Sequence, residues 1–269
     1  MITLLTDFGT VDYFVPAVKG VILKIDPHAL IVDITHEIPA HDIRSAAFTL
    51  GACYHNFPLG AIHVAIVDPG VGSERAAIVV AAGGYFFVGP DNGIFSFVYA
   101  RESTARVYQI TAQNFIGRPM SATFHGRDLF APVAGYLSRG VTLEDIGREV
   151  DQFTRFELSE PEEMLESGVI EGRIIHIDRF GNCITNFTDR ELSFDLLKQS
   201  PAVMTIGDWI ISQFCTHFEQ ALRKDELIAY PGSAGYWEIA LCRARAAEFI
   251  GAKIGTKVIL KRMKEYGDG

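Results

Sequence analysis

The sequence predicts a two-part α/β protein: an N-terminal α/β domain with a mostly parallel sheet over residues 1–155, an acidic linker at 156–169, and a smaller C-terminal antiparallel β-barrel over 170–269. Three observations predict it. Through the first part, strand-like apolar runs alternate with helix-spaced ones, the pattern of a parallel sheet flanked by helices. The stretch "FELSEPEEMLESG" then carries no apolar period. After it come short, closely spaced segments of alternating polarity, the grammar of a small barrel.

Taken in order, "ITLL" is a short apolar strand, and "VDYFVPAVKGVILKI" is helical with Pro16 tolerated in an early turn. "ALIVDIT" is a strand. In "DIRSAAFTLGACYHNF" the residues Ile43, Ala46, Ala47, Leu50 and Tyr54 recur at helical spacing, and "AIHVAIVD" is a strand again. "AAIVVAA" and "YFFVG" flank Gly83-Gly84 as a hairpin, and a helix is expected around "DLFAPVAGYLSRG". The second part supplies "VIEGRIIHID", "NCITNF", "AVMTI", "DWIIS", "ELIAY", "GYWEIAL" and "KVILKRM" as strands.

Composition narrows the function. The chain has 269 residues, 48% hydrophobic and 21% charged, enough apolar side chain for one large or two medium cores. A net charge of -9 without any basic run argues against nucleic acid and suits a small neutral or cationic ligand. Four cysteines without C-x-x-C spacing read as buried small hydrophobes in a reducing compartment. The first residues lack a basic leader, Asp7 interrupts the first apolar segment, and the uncharged stretch near 76–90 is broken by Gly83-Gly84 and Pro90. A cytoplasmic protein with no membrane partner is the expectation.

The loop in "VAIVDPGVGSERAAIVVAA" is the first candidate site. It is not a dinucleotide loop, because Arg75 stands where a third glycine belongs and a strand follows, and it lacks the Gly-Lys-Ser/Thr of a Walker loop. Asp68 and Arg75 are compatible with a salt bridge closing a turn. Yet Asp68 ends a parallel strand, where open α/β sheets bind ligands. "THEIPAH" imitates a zinc signature, but His36 and His41 are five apart with Pro39 between them and cannot share a helix face. No metal is expected. Ser233 in "PGSAG" lacks the strand-to-helix setting of a nucleophile. Asp7 in "TDFG" is compatible with a helix cap or a ligand contact, and "TFHGRDLF" with a helix entry capped by Asp128 and preceded by His125.

Together these pieces carry a resemblance. "TDFG" with Asp12 behind it, "VDITH", "VDPGVGSER", "GPDNG", "FHGRD", "IDRFGNCITN" and "GSAGYWEIA" stand in the order and at the intervals of the adenosine-forming S-adenosylmethionine (SAM) hydrolases. These are hydroxide adenosyltransferases related to the SAM-dependent fluorinase and chlorinase. The resemblance spans nearly the whole chain. It implies an α/β domain followed by a small barrel, SAM as substrate with adenosine and methionine as products, no metal or other cofactor, and a homotrimer holding SAM at the subunit interface.

The resemblance also implies roles. Asp7 would accept both hydroxyls of the ribose diol, as one carboxylate can. Asp178 would meet the methionine ammonium, Asn182 the adenine edge, and Ser233 the methionine carboxylate. Phe218 would cover the adenine face, and the backbone of Ala246 and Ala247 would meet adenine. Arg245, where many relatives carry Asn, departs from the pattern. Asp68, Arg75 and His125 would activate a water attacking C5' of the ribose. Sulfonium is already a good leaving group, so positioning and proton acceptance suffice. Two alternatives stay open: a halide adenosyltransferase, which needs a small anion pocket in place of the triad, and a non-catalytic SAM-binding protein, which needs no triad.

Overall fold

The computed structural model describes residues 1–117, 119–165, 168–217 and 226–263. The chain divides into two compact units, Met1–Leu158 and Ser159–Gly269.

In the first unit β1 (Ile2–Thr6), α1 (Phe14–Ile25), β2 (Ile31–Thr35), α2 (Ile43–Cys53) and β3 (Ile62–Ile66) follow the expected alternation. Pro16 sits in the first turn of α1, where its missing N–H has no partner to lose. β4 (Ala77–Ala82) and β5 (Tyr85–Pro90) form the hairpin. Then come α3 (Ser96–Arg101), β6 (Arg106–Ile110), a π-helical turn (Gly126–Phe130) running into α4 (Ala131–Ser138), α5 (Leu143–Ile146) and β7 (Gly147–Val150). The seven strands are ordered β2-β1-β3-β5-β4-β6-β7. Pairings from β2 to β5 are parallel and those from β5 to β7 antiparallel, so the sheet is mixed.

Alternate residues of β3 feed opposite cores, as a central strand requires. Ile62, Val64 and Ile66 join Val18 and Ile22 of α1 and Val133 and Leu137 of α4. Ala65 joins Leu5, Leu50 of α2, Phe87 and Val98 of α3 on the other face. Helices therefore cover both sides, and the carboxyl ends of β1 and β3 stand side by side.

His63 of β3 is buried in that second layer. Its Nδ1 bonds Thr3 Oγ1 at 2.8 Å, its ring stacks on Phe87 at 5.1 Å, and burial pushes its pKa down to about 4. The unfolded chain takes up a proton near 6.5, so the stability held above that pH is lost as pH falls toward 4. The loss is of order 3 kcal/mol. Chemical denaturation at pH 7.5 and 4.5 should show this difference in the wild type and a smaller one in His63→Phe.

The second unit contains β8 (Glu162–Glu163), β9 (Val169–Ile177), β10 (Cys183–Thr185), α6 (Phe194–Gln199), β11 (Ala202–Ile206), β12 (Trp209–Ile211), β13 (Gln213–Phe214), β14 (Leu227–Pro231), β15 (Trp237–Leu241), α7 (Ala246–Ile250) and β16 (Lys257–Arg262). The path β12-β11-β16-β9-β10-β15-β14-β13 is antiparallel except for β13 beside β14. Residues 169–173 of β9 pair with β16 and its later residues with β10, and β12 comes close to β14, so the sheet curls into a nearly closed barrel. Trp237 fills the core with Met204, Ile239 and Leu260, its indole donating to the Leu192 carbonyl at 2.6 Å.

The acidic stretch read as a linker is divided: Phe156 packs on Phe97 and under Arg44 in the first unit, while Glu162 and Glu163 pair with β9 in the second. Of the cysteines, Cys183 and Cys215 are buried and Cys53 and Cys242 partly so, all four as free thiols. No helix among the described residues is long and apolar enough to cross a membrane.

Candidate active site

Asp7 and Asp68 follow β1 and β3, neighbouring parallel strands, so both carboxylates emerge at one sheet edge. They line one cavity of about 280 Å³ with His125, walled by Phe8, Phe14, Ile66, Val71 and Phe124. Phe14 and Phe124 meet edge to face at 5.3 Å, and Phe8 lies 5.8 Å from Phe14. This apolar wall lowers the local dielectric around the acids.

The Asp68–Arg75 pair is the turn-closing salt bridge expected from spacing, and it is more. Arg75 Nε donates to Asp68 Oδ1 at 2.8 Å and Nη2 to Oδ2, a forked pair whose side chains are only 11% and 6% exposed. The same Nη2 donates to His125 Nδ1 at 2.8 Å. A guanidinium has no acceptor, so Nδ1 must accept and the neutral ring carries its proton on Nε2. Burial, and then the Arg75 charge, hold the His125 pKa below the ordinary histidine value. Phe130 lies 5.3 Å beneath the guanidinium.

Two local devices bring His125 to this pair. At Gly72, φ is +80° and a Cβ would stand 2.3 Å from the Ala122 carbonyl oxygen, so only glycine lets the two loops meet. His125 then precedes the π-helical turn, and Asp128 anchors the approach by accepting from Ser121 N at 2.8 Å and from Arg127 Nε at 2.6 Å. Asp128 thus fixes the loop before the helix.

Asp7 holds a contact that spacing did not reveal. His41 N donates to its Oδ2 at 2.9 Å, with the imidazole Nδ1 4.0 Å away. His41 has φ of +67°, a left-handed conformation costly for a residue with a Cβ, held where a carboxylate is oriented. His36, its partner in the zinc-like motif, is instead buried against Thr6 at 2.8 Å. Among the described residues no group of three or more His, Cys, Asp or Glu is arranged to hold a metal ion.

In the second unit Asp178, Asn182 and Ser233 line a cavity of about 800 Å³. Asp178 accepts from Asn182 N at 2.8 Å and from Asn182 Nδ2 at 2.9 Å, so the amide that was expected to present donor and acceptor to a base keeps its oxygen for that purpose. Phe180, in the same motif, is 74% exposed at this cavity, an aromatic face that the motif reading passed over. Arg245 is held by Glu248 and by the Arg179 carbonyl. Ala246 is buried at the start of α7 rather than lining the cavity, and Ala247 N donates to Gly181 O at 2.9 Å. Phe218 lies outside the described residues.

Comparison with known proteins places the whole chain in one family. Residues 2–147 match the model of the SAM hydroxide adenosyltransferase N-terminal domain and residues 172–259 that of its C-terminal domain. The chain belongs to this family. It is 34% identical over 258 residues to the (R)-S-adenosyl-L-methionine hydrolase of Salinispora tropica, covering 96% of each chain. A fluorinase from an Actinoplanes species is more distant, 24% identical over 97% of both. The SAM hydroxide adenosyltransferase fold also matches the crystal structure of an uncharacterized conserved protein from Thermotoga maritima. There the TM-score is 0.87 at 32% identity, covering 97% of this chain and 100% of that one.

Proposed function

We propose that the protein is a SAM hydrolase that forms adenosine and L-methionine by in-line attack of water at C5' of the ribose. The Asp68–Arg75–His125 constellation beside Asp7 carries this reading. The similar hydrolases are named for the R configuration at sulfur, and we extend that epimer to this chain as its substrate.

The roles follow from the hydrogen bonds. His125 is neutral, its Nδ1 is engaged by Arg75, and its Nε2 carries a proton, so it donates to the water and orients it. Asp68 accepts. A carboxylate is a weak base, but water becomes strongly acidic as its oxygen bonds to carbon and the sulfonium departs, so a weak base suffices. Neutral methionine thioether leaves, and the reaction asks for no metal or other cofactor. Asp7 takes the ribose diol, while Asp178, Asn182 and Ser233 take the methionine and adenine ends.

From the resemblance to its family we further propose a homotrimer in which neighbouring subunits complete one another's sites, a reading that suits ligand residues divided between two units of the chain; sedimentation checks the assembly. Incubating pure protein with (R)-SAM and separating the products should give adenosine and methionine in equal amounts, without halide. Turnover that requires chloride or fluoride would support the halide transferase instead, and SAM binding without products would leave a binding protein.

A further inference from the structure

The stretch "THEIPAH" is the sequence motif that the site above leaves largely unused. It runs along the turn that carries Asp7 and holds that turn on both sides of the carboxylate. His36 Nδ1 lies 2.8 Å from Thr6 Oγ1, Gly9 N donates to the His36 carbonyl at 2.8 Å, Ile38 N to the Thr6 carbonyl at 3.4 Å, and His41 N to Asp7 Oδ2 at 2.9 Å. Thr6, Asp7 and Gly9 are thereby fastened to one segment.

The direction of the Thr6–His36 bond follows from its neighbours. Thr6 Oγ1 also accepts from Phe8 N at 3.2 Å, while His36 Nε2 lies 3.1 Å from Asp33 Oδ1 and Lys19 Nζ donates to Asp33 Oδ2 at 2.6 Å. A carboxylate beside Nε2 favours the tautomer with its proton there, so Nδ1 accepts and the Thr6 hydroxyl donates. Phe8 N–H, the Thr6 hydroxyl and the His36 ring then all point toward Asp33, each polarising the next. The hydroxyl serves both of its neighbours at once, and a residue without it strands His36 Nδ1 and Phe8 N. Both side chains are buried and neither lines the cavity of Asp7, so they reach a ligand only through that carboxylate.

We propose that Thr6 and His36 are positioning residues for Asp7, whose hydrogen bond keeps the carboxylate aimed at a vicinal diol and so sets the preference for a ribosyl over a 2'-deoxyribosyl ligand. This rests on the reading of the protein as a SAM hydrolase in which Asp7 holds the ribose. Two adjacent hydroxyls bond one carboxylate well only while its setting is fixed, so a loosened turn costs the second bond first. The buried pair therefore acts on sugar selection.

The test measures calorimetric binding of SAM and of its 2'-deoxy analogue, with release of the nucleoside followed alongside. Thr6→Val keeps the shape and removes the hydroxyl. It should weaken SAM about 10-fold and the analogue far less, shrinking a wild-type preference of about ten- to a hundredfold to within about threefold. Thr6→Ser, which keeps the hydroxyl, should retain most of the preference. A merely structural role would lower the unfolding temperature of Thr6→Val and leave the preference of the folded protein intact, and that result, or equal weakening of both ligands, overturns the proposal. So does a wild type without the preference. Should Thr6→Val fail to fold, His36→Phe keeps a ring, removes Nδ1 and is read the same way. Binding needs no turnover, so the two readings separate. A 2'-hydroxyl preference that depends on Thr6, without adenosine formation, would uphold this inference and defeat the hydrolase reading, whereas adenosine formation with the preference unchanged in Thr6→Val would do the reverse.

Discussion

Replacing Asp68 with Asn, or His125 with Ala, should lower single-turnover adenosine formation by about 100- to 10,000-fold while leaving SAM affinity nearly unchanged. In Asp68→Asn an amide N–H faces the guanidinium that now forks onto two carboxylate oxygens, and no base remains for the water. In His125→Ala the water loses its donor and Arg75 Nη2 loses an acceptor. Arg75→Lys should fall between, keeping charge but neither the fork nor a reach to both partners. If the pair merely closed a turn, these changes would alter stability by about 0.5 to 3 kcal/mol and leave the folded protein's rate intact, so thermal unfolding accompanies each rate.

The same geometry sets the pH response. Protonating His125 would put an N–H against the Arg75 guanidinium and cancel the arrangement, so activity is lost as pH falls through the His125 pKa. Since burial and Arg75 lower that pKa, the acid limb should lie below the ordinary histidine range and vanish in His125→Ala. Near-wild-type rates in well-folded Asp68→Asn and His125→Ala proteins would refute the mechanism.

What the sequence revealed of this fold is what local periodicity can carry. β1 through β5 are apolar runs whose neighbours in the chain are also their neighbours in the sheet, or nearly so, and they were legible. "RVYQI" and "GREV" were not read as strands, because Gln109 and the exposed Arg148 and Glu149 break the pattern. Only pairing with β4 and with each other makes them β6 and β7. Glu162 and Glu163 likewise owe their strand to β9.

The site divides in the same way. Asp7 and Asp68 were legible from position, since the ends of parallel strands collect ligands, and the joining of His125 to Arg75 across 50 residues rested on ordered motifs. The left-handed backbone of His41 and the capture of Asn182 by Asp178 depend on tertiary contacts that no spacing records.

The second large effect should come from Asp7, and the hydrogen bond from His41 determines how. One lone pair of Oδ2 is occupied by His41 N, which leaves Oδ1 and the rest of Oδ2 to accept from two adjacent ribose hydroxyls. Asp7→Asn is nearly the same shape, but with its single oxygen turned to His41 N its NH2 replaces Oδ1 at the diol, so the Oδ1 acceptor and the negative charge are lost and the backbone anchor is kept. Losing one charge-assisted bond and the charge behind the other should raise KM about 100-fold, and any drift of C5' away from the held water lowers kcat as well, for a combined fall of about 100- to 10,000-fold in kcat/KM. The 2'-deoxy analogue of SAM isolates the cause. Wild type should handle it about ten- to a hundredfold worse than SAM, whereas Asp7→Asn, already without the charged diol contact, should distinguish the two much less. An Asp7→Asn enzyme that retained the wild-type preference for the 2'-hydroxyl would show that another group holds the ribose, and that Asp7 serves only to fasten the His41 turn.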